Sequence, residues 1–451
     1  MAEIAVVGAG YVGLVTGACW AHLGHNVTFL DIDKEKVARL RRGIVPIYEP
    51  GLAEMIAERA RDGRVSFTTD PEEAIPGREF IFVAVHTPSA SNGNTDLMAF
   101  LNAIHAMALL VSPGAIIVQK STAPIGTAEF VEELMNKRNP QAGVKVVANP
   151  EFLREGTAIQ DFLNPERIVL GSAHKAAADR VAGLYSFAGR PVIVTDCSTA
   201  EMIKYASNAF LATKISFMNE IAQLCDAANL DVRKVAEGMG YDRRIGHKFL
   251  GAGLGWGGSC LPKDVKALVH MANGCEVTPS ILEAVQRVNA TQRSHAIRKL
   301  DSLLGGLEGA VVGLLGLAFK PGTDDLRSAP SIDIAESLVA MGALPRAYDP
   351  VAMDAARNLL PGVAFTKDAY ELAEGADALV LITEWPEFRD IDMTVIRERM
   401  RRPVLLDGRN FWDGEAMSRL GFTYQGFGVP SSANGNHRAI TSIAEAMGMY
   451  P

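Results

Sequence analysis

Glu3-Ile4-Ala5-Val6-Val7-Gly8-Ala9-Gly10-Tyr11-Val12-Gly13 is a buried-strand pattern that runs straight into glycines at G-x-G-x-x-G spacing. An apolar helical stretch follows to about Leu23, and a second strand, Val27 to Leu30, ends at Asp31. Strand, glycine turn, helix and strand, with an acid about 20 residues on, is the context in which this spacing binds a dinucleotide. Gly8 makes the tight turn, Gly10 lets a pyrophosphate approach the backbone, and Gly13 lets helix and sheet pack closely. The helix N-terminus, where Tyr11 and Val12 stand, then meets the phosphate charge. Asp31 would accept from a ribose 2′-OH and repel a 2′-phosphate, which favours NAD over NADP, and Lys36 weakens that preference slightly.

Working outward, strand-like runs recur at α/β spacing: Phe80 to Val85, Ala115 to Gln119 and Lys145 to Ala148. Their carboxyl ends carry His86-Thr87-Pro88, Lys120-Ser121-Thr122 and Asn149-Pro150-Glu151. Ligands collect at that end of an open parallel sheet. Thr122 and Glu151 are therefore candidate site residues, with plain strand-to-helix capping as the bland reading of Thr122. From Ser198 to about Leu230 the pattern is one long helix, and Lys204 and Asn208, four apart, point the same way from it. Buried polar groups of that kind need partners, and a satisfied pair within the helix is the bland reading of these two.

Near residue 310 the opening pattern returns in degenerate form. Ala310 to Leu315 reads as a strand, Gly316 to Lys320 as a turn and Ile332 to Met341 as a helix, and a short strand ends at Tyr348-Asp349. Ala376 to Ile382 and Val404 to Leu406 continue it. The strand ends Lys320, Arg327 and Arg409 are basic, which suggests phosphate binding, with a solvated charged rim as the alternative. The segment after Gly428 reads as loop. The chain is thus expected to be α/β, with two Rossmann-like doubly wound domains joined by a long central helix: 1–197, 198–300 and 301–451.

Between these halves lies Gly255-Trp256-Gly257-Gly258-Ser259-Cys260-Leu261-Pro262-Lys263-Asp264. The glycines strip side chains from the approach, and Pro262 suits a first helical residue. Cys260 is then expected at a helix N-terminus, a setting that favours the nucleophilic thiolate, with Asp264 one turn on. An inert buried cysteine in a glycine-rich loop is the alternative reading of this stretch alone.

Composition narrows the classes. At 451 residues there is room for two or three domains, and a net charge of −8 gives no general electrostatic case for nucleic acid. No apolar run reaches the ~20 residues of a membrane span, and nothing near Met1 resembles a signal peptide. Five scattered cysteines without a C-x-x-C pair fit a reducing cytoplasm and argue against a disulfide framework and against a metal site.

Several stretches taken together closely resemble the UDP-glucose/GDP-mannose dehydrogenase family, and within it the branch acting on UDP-glucose. They are Gly8 to Gly17, Pro46 to Leu52, Lys120 to Thr127, Asn149 to Gly156, Lys204-Tyr205-Ala206-Ser207-Asn208, Arg244 to Gly246 leading to Gly257 through Asp264, Phe319 to Arg327, and Asp407-Gly408-Arg409. They occur in the family's order along nearly the whole chain. One departure is His86, where the family commonly has glycine.

The resemblance implies two NAD consumed per four-electron oxidation of the sugar C6 alcohol of UDP-glucose to UDP-glucuronate, a step toward polysaccharide precursors. It implies Cys260 as nucleophile, with Lys204, Asn208, Asp264, Thr122 and Glu151 as the other catalytic positions. Cofactor contacts are expected at Gly8, Gly10, Tyr11, Val12, Gly13, Asp31, Lys36, Thr87, Pro88, Ser121, Thr122, Glu155, Lys263 and Arg327. Substrate contacts are expected at Glu151, Phe152, Leu153, Arg154, Lys204, Asn208, Arg244, Phe249, Leu250, Gly253, Gly257, Phe319, Lys320 and Arg409. A homodimer through the central helix is also implied. The runner-up inside the class is a dehydrogenase for GDP-mannose or a UDP-N-acetylhexosamine; a sensor that has lost its chemistry is the competing class.

Overall fold

The computed structural model describes residues 1–90 and 92–430. Two compact units divide it: one is Met1–Ser207 with Lys266–Cys275, the other Asn208–Val265 with the chain from Glu276 onward.

The first unit holds an eight-stranded sheet: β1 (Glu3–Val7), β2 (Asn26–Leu30), β3 (Val65–Thr68), β4 (Phe80–Val83), β5 (Ile116–Gln119), β6 (Lys145–Ala148), β7 (Ile168–Gly171) and β8 (Val192–Thr195). The strand order is β3-β2-β1-β4-β5-β6-β7-β8. All pairs are parallel except β6 with β7, which meet antiparallel at Ala148 and Gly171. Strands β4 and β5 are buried throughout, as strands covered on both faces by helices must be. One face packs Trp20, Phe29 and Phe82, the other Phe100, Ile104 and Ile117. Chain order reverses between β1 and β4, so the crevice at their carboxyl ends is the switch point where such folds bind ligand.

The second unit repeats the design with β9 (Val311–Leu315), β10 (Leu344–Tyr348), β11 (Ala364–Phe365), β12 (Ala378–Leu381), β13 (Val404–Asp407) and β14 (Thr423–Gln425), in the order β11-β10-β9-β12-β13-β14. This matches the order of the first six strands of the other sheet. The correspondence reaches single atoms. Gly8 N–H donates to Leu30 O and Gly316 N–H to Tyr348 O, both at 2.8 Å. Both glycines have positive φ, +97° and +85°, which side chains disfavour.

The long helix runs Cys197–Ala228, close to the expected span. A second long helix, Ser280–Leu304, escaped the reading because its polar residues turn inward, which breaks the apolar period. Strands β3, β7, β8, β11 and β14 also escaped it, being short and at or near sheet edges. The helix after the cysteine is Leu261–Gly274, so Pro262 is its second residue rather than its first, and Cys260 immediately precedes it. Gly428 to Pro430 lack regular structure; the rest of the expected terminal loop lies outside the described residues.

Candidate active site

The dinucleotide turn is built as a cradle. A Cβ on Gly8 would stand 2.8 Å from Ala84 O, and one on Gly13 would stand 1.9 Å from Gly8 O, so both glycines are demanded by backbone packing. A Cβ on Gly10 would meet nothing within 4 Å. That open side adjoins the start of the helix Tyr11–His22, whose first turn has no side-chain cap and no acid. Unpaired N–H groups and the positive end of the helix therefore face an open approach, which fits a pyrophosphate. Asp31 Oδ2 accepts from Ala9 N at 2.8 Å and from Lys36 Nζ at 2.9 Å, and Oδ1 accepts from Asp33 N at 3.0 Å. Three donors leave a lone-pair site for a ribose hydroxyl.

The corresponding carboxylate of the second unit is filled. Asp349 Oδ2 accepts from Leu317 N, Ala318 N and Trp385 Nε1, and Oδ1 from Val351 N and Ala352 N. Five donors exhaust a carboxylate, so Asp349, unlike Asp31, keeps no lone pair for a ribose diol. The residues present fit NAD in the first unit.

Tyr11 hydroxyl donates to Glu49, whose Oε2 also accepts from Gly156 N at 2.6 Å. The helix head is thereby tied to the Glu151–Gly156 loop, and burial together with Glu49 raises the phenol's pKa. Glu49 was not foreseen, although it stands inside the Pro46–Leu52 stretch.

At the carboxyl ends of β5 and β6 a small cavity is lined by Gln119, Ser121, Thr122, Pro150, Glu201 and Lys204, among others. Lys204 Nζ lies 2.8 Å from Glu151 Oε1, with the two residues only 3% and 6% exposed. Glu151 Oε2 accepts from Leu153 N at 2.5 Å. Burial would raise the Glu151 pKa, but Lys204, the Leu153 N–H and Lys120 hold it below the usual carboxylate range. Lys120 is itself buried; burial pulls its amine down to about 7, with Glu151 opposing and Lys204 adding to the fall. Its Nζ sits 5.8 Å from the centre of the Tyr185 ring.

Glu201, one turn before Lys204, accepts from Gly126 N, Ala128 N and Gln119 Nε2. It thus fixes the Lys120–Thr127 turn on the helix carrying Lys204, and its own burial raises its pKa to about 7. Its place one helical turn before Lys204 is the sequence signal that points to it. Thr87 Oγ donates to Thr122 O at 2.7 Å and Ser121 Oγ to Val85 O at 2.6 Å, so both knit the strand-end loops together. Arg167 stacks 3.6 Å from the Phe152 ring centre, whereas Arg154 is exposed and paired with Asp161. His86 is exposed, and Glu155 is half-buried.

In the second unit, Asp264 N donates to Cys260 O at 2.9 Å, the first turn of the helix behind the thiol. The Asp264 carboxylate accepts from Asn208 Nδ2 at 2.6 Å and from Lys263 Nζ at 2.7 Å. Cys260 is partly exposed, with Ser259 Oγ 3.5 Å from its sulfur.

The glycines before it also let the loop pack closely on the protein. A Cβ on Gly253 would stand 2.3 Å from Gly408 O, on Gly255 2.4 Å from Asn289 Oδ1, and on Gly257 2.2 Å from Ser328 O. The loop is pressed onto the Gly408 and Ser328 carbonyls and the Asn289 amide, and Gly258 N donates to Arg327 O at 2.9 Å. Arg409 braces it by donating to Gly255 O at 3.1 Å and Ile382 O at 2.8 Å. Lys320 Nζ lies 5.6 Å from the Phe319 ring centre. Leu250 is buried, and Phe249 holds φ +64°, a conformation rare for an aromatic residue and typical of functional loops. Arg244 and Arg327 are exposed and paired with Asp242 and Asp325.

The dinucleotide cradle of the first Rossmann-type unit is that of an NAD-dependent oxidoreductase. The chain matches the NAD binding domain of the UDP-glucose/GDP-mannose dehydrogenase family over residues 2–188, its central domain over 198–291 and its UDP binding domain over 313–414. It belongs to that family. It is 45% identical over 446 residues to a UDP-glucose 6-dehydrogenase of Pseudomonas aeruginosa, covering 96% of this chain and 98% of the relative. To UDP-glucose 6-dehydrogenase TuaD of Bacillus subtilis it is 43% identical over 433 residues, covering 96% and 94%. The solved UDP-glucose dehydrogenase of Pyrobaculum islandicum superposes with a TM-score of 0.88 at 38% identity, covering 95% and 98%. Among the described residues, no helix is long and apolar enough to cross a membrane.

Proposed function

We propose that the chain oxidises UDP-glucose to UDP-glucuronate, with Cys260 as covalent nucleophile. The observation that carries this reading is the thiol at the head of the helix Leu261–Gly274, one turn before an Asp264 held by Asn208. The relatives' substrate and the match to a UDP binding domain support the choice of sugar nucleotide.

NAD, when bound at the Gly8–Gly13 turn, accepts the hydride of each oxidation. The chain's own residues do the rest. The C6 alcohol loses a hydride and a proton to become an aldehyde, the proton passing to solvent water; Lys204, an ammonium paired with ionised Glu151, is assigned to donate to the developing alkoxide. The Cys260 thiolate adds to the aldehyde carbon, forming a C–S bond and an oxyanion that Lys204 and Asn208 stabilise as donors. Loss of the second hydride leaves a thioester. Water, held by Thr122 and Asp264, attacks it; the C–S bond breaks, the thiolate is restored, and the acid formed gives its remaining proton to solvent as the carboxylate leaves. Glu151, ionised beside Lys204, takes a proton from that water. One water and two NAD are consumed per sugar. Lys320 and Arg409 are assigned to the substrate, and Arg327 to the cofactor side.

The assembly is a homodimer in the cytoplasm. Phe210, Phe217 and Leu224 stand seven residues apart on the long helix and are 65%, 49% and 63% exposed, an apolar stripe suited to a second copy.

The test is NADH counting. Wild type should yield two NADH per UDP-glucose and far less with GDP-mannose or UDP-N-acetylhexosamines. Cys260→Ser should stop after the first oxidation or accumulate an ester on Ser. Two NADH per sugar at the wild-type rate from that variant would discard the covalent route.

A further inference from the structure

We propose that Asn289 is a positioning residue that sets where the Cys260 thiol stands; this rests on the cysteine route proposed above. Asn289 lies on the helix Ser280–Leu304 and is 6% exposed. Its Oδ1 accepts from Trp256 N at 2.8 Å and its Nδ2 donates to Trp256 O at 3.0 Å. One amide thus satisfies both backbone groups of a single loop residue, four positions before the thiol. On the same helix face, Gln292 Nε2 donates to Gly253 O at 2.7 Å and Arg293 Nη2 to Trp256 O at 3.1 Å. From the helix Cys197–Ala228, Ser216 Oγ accepts from Trp256 Nε1 at 2.9 Å and Asn219 Oδ1 from Gly253 N at 2.8 Å.

This comb is costly to bury unless its members are paired, and a loop serving only to fill space would be packed by apolar side chains instead. What the amides supply is a fixed backbone path. The need is local, because Gly257 and Gly258 follow, and glycine backbone is conformationally permissive. Between Trp256 and the helix at Leu261 the path is held by Asn289 on one side and by Gly258 N to Arg327 O at 2.9 Å on the other. Releasing the first anchor lets the thiol wander, and a misplacement of ~1 Å can cost ~100-fold in rate.

The experiment uses Asn289→Asp and Asn289→Ala in the full chain carrying Cys275→Ser, with iodoacetamide labelling of Cys260 followed by peptide mass. Asn289→Asp keeps size and the acceptor but turns the donor into an acceptor facing Trp256 O, so it decides the matter if Asn289→Ala does not fold. The expected result is kcat lowered about 10- to 100-fold, KM for NAD unchanged within twofold, and a Cys260 alkylation rate shifted several-fold. Asn289→Asp with kcat and alkylation within twofold of wild type would overturn the proposal, and so would parallel loss of kcat and NAD affinity, the mark of general loosening. The alkylation readout stands whether or not Cys260 is the nucleophile, so failure of the covalent route, read from Cys260→Ser, is separable.

Discussion

Lys204 Nζ and Glu151 Oε1 stand 2.8 Å apart in a setting that water hardly reaches. A buried ion pair adds little net stability over an apolar pair, but removing one partner leaves an uncompensated charge at a cost of about 3–5 kcal/mol. Lys204→Ala should therefore lose stability as well as kcat, the latter by about 10²-fold or more. Lys204→Ala combined with Glu151→Gln should regain much of the thermal stability and none of the activity. Calorimetry and NADH production on the single and double variants check this; an unchanged kcat in Lys204→Ala removes that residue from the chemistry.

Cofactor choice turns on Asp31. Asp31→Asn keeps an acceptor for Ala9 N–H but removes the negative charge and frees Lys36 from its 2.9 Å ion pair. A charge ~4 Å from a 2′-phosphate is worth about 1 kcal/mol in water and about 4 near a protein surface. The NADP-to-NAD ratio of kcat/KM should thus rise at least about fivefold. An unaltered ratio would mean that the adenine ribose is read elsewhere.

Much of this is legible in the sequence, and the reason is physical. Gly8-x-Gly10-x-x-Gly13 and the acid at 31 are local: strand, turn and helix follow one another, so spacing alone reports the cradle. Lys204 and Asn208 were legible as polar residues in an apolar helix, and both proved to be paired, with Glu151 and Asp264. What could not be read was long-range. Nothing within residues 253–258 says that the glycines make room for Gly408, Asn289 and Ser328 rather than for a ligand alone. The saturation of the second carboxylate was likewise hidden, because Asp349 looks like Asp31 until Trp385 is seen to donate to it. The helix Ser280–Leu304 was missed because Asn289 and Gln292 point inward to the loop, where periodicity expects apolar side chains.

The apolar stripe of the long helix predicts the assembly. A charge placed at Phe210 would be buried unpaired in a symmetric interface, at a cost of several kcal/mol. Phe210→Glu should weaken self-association by ~100-fold or more. Sedimentation equilibrium should find wild type dimeric and the variant largely monomeric at micromolar concentration. A wild type that is monomeric there, or a variant that stays dimeric, places the contact elsewhere or nowhere.

Lys120 offers a test of burial through pH. Burial draws its amine from an ordinary 10.5 down to about 7, with Glu151 resisting and Lys204 assisting. A depressed folded-state pKa means that the folded chain gives up this proton more readily than the unfolded chain. The contribution to stability is whole above about 10.5 and is lost as pH falls through about 7. Lys120→Met lacks this dependence, while the opposing titration of Glu201, raised to about 7, is common to both proteins and cancels in their difference. The Tm of Lys120→Met minus that of wild type should therefore grow as pH falls from 10 toward 6, by about 2–4 °C for each kcal/mol of burial cost relieved. Differential scanning at several pH values measures it. A difference that stays flat with pH would mean that Lys120 keeps its charge at no cost in the fold, and that its amine is better solvated or better paired than its surroundings imply.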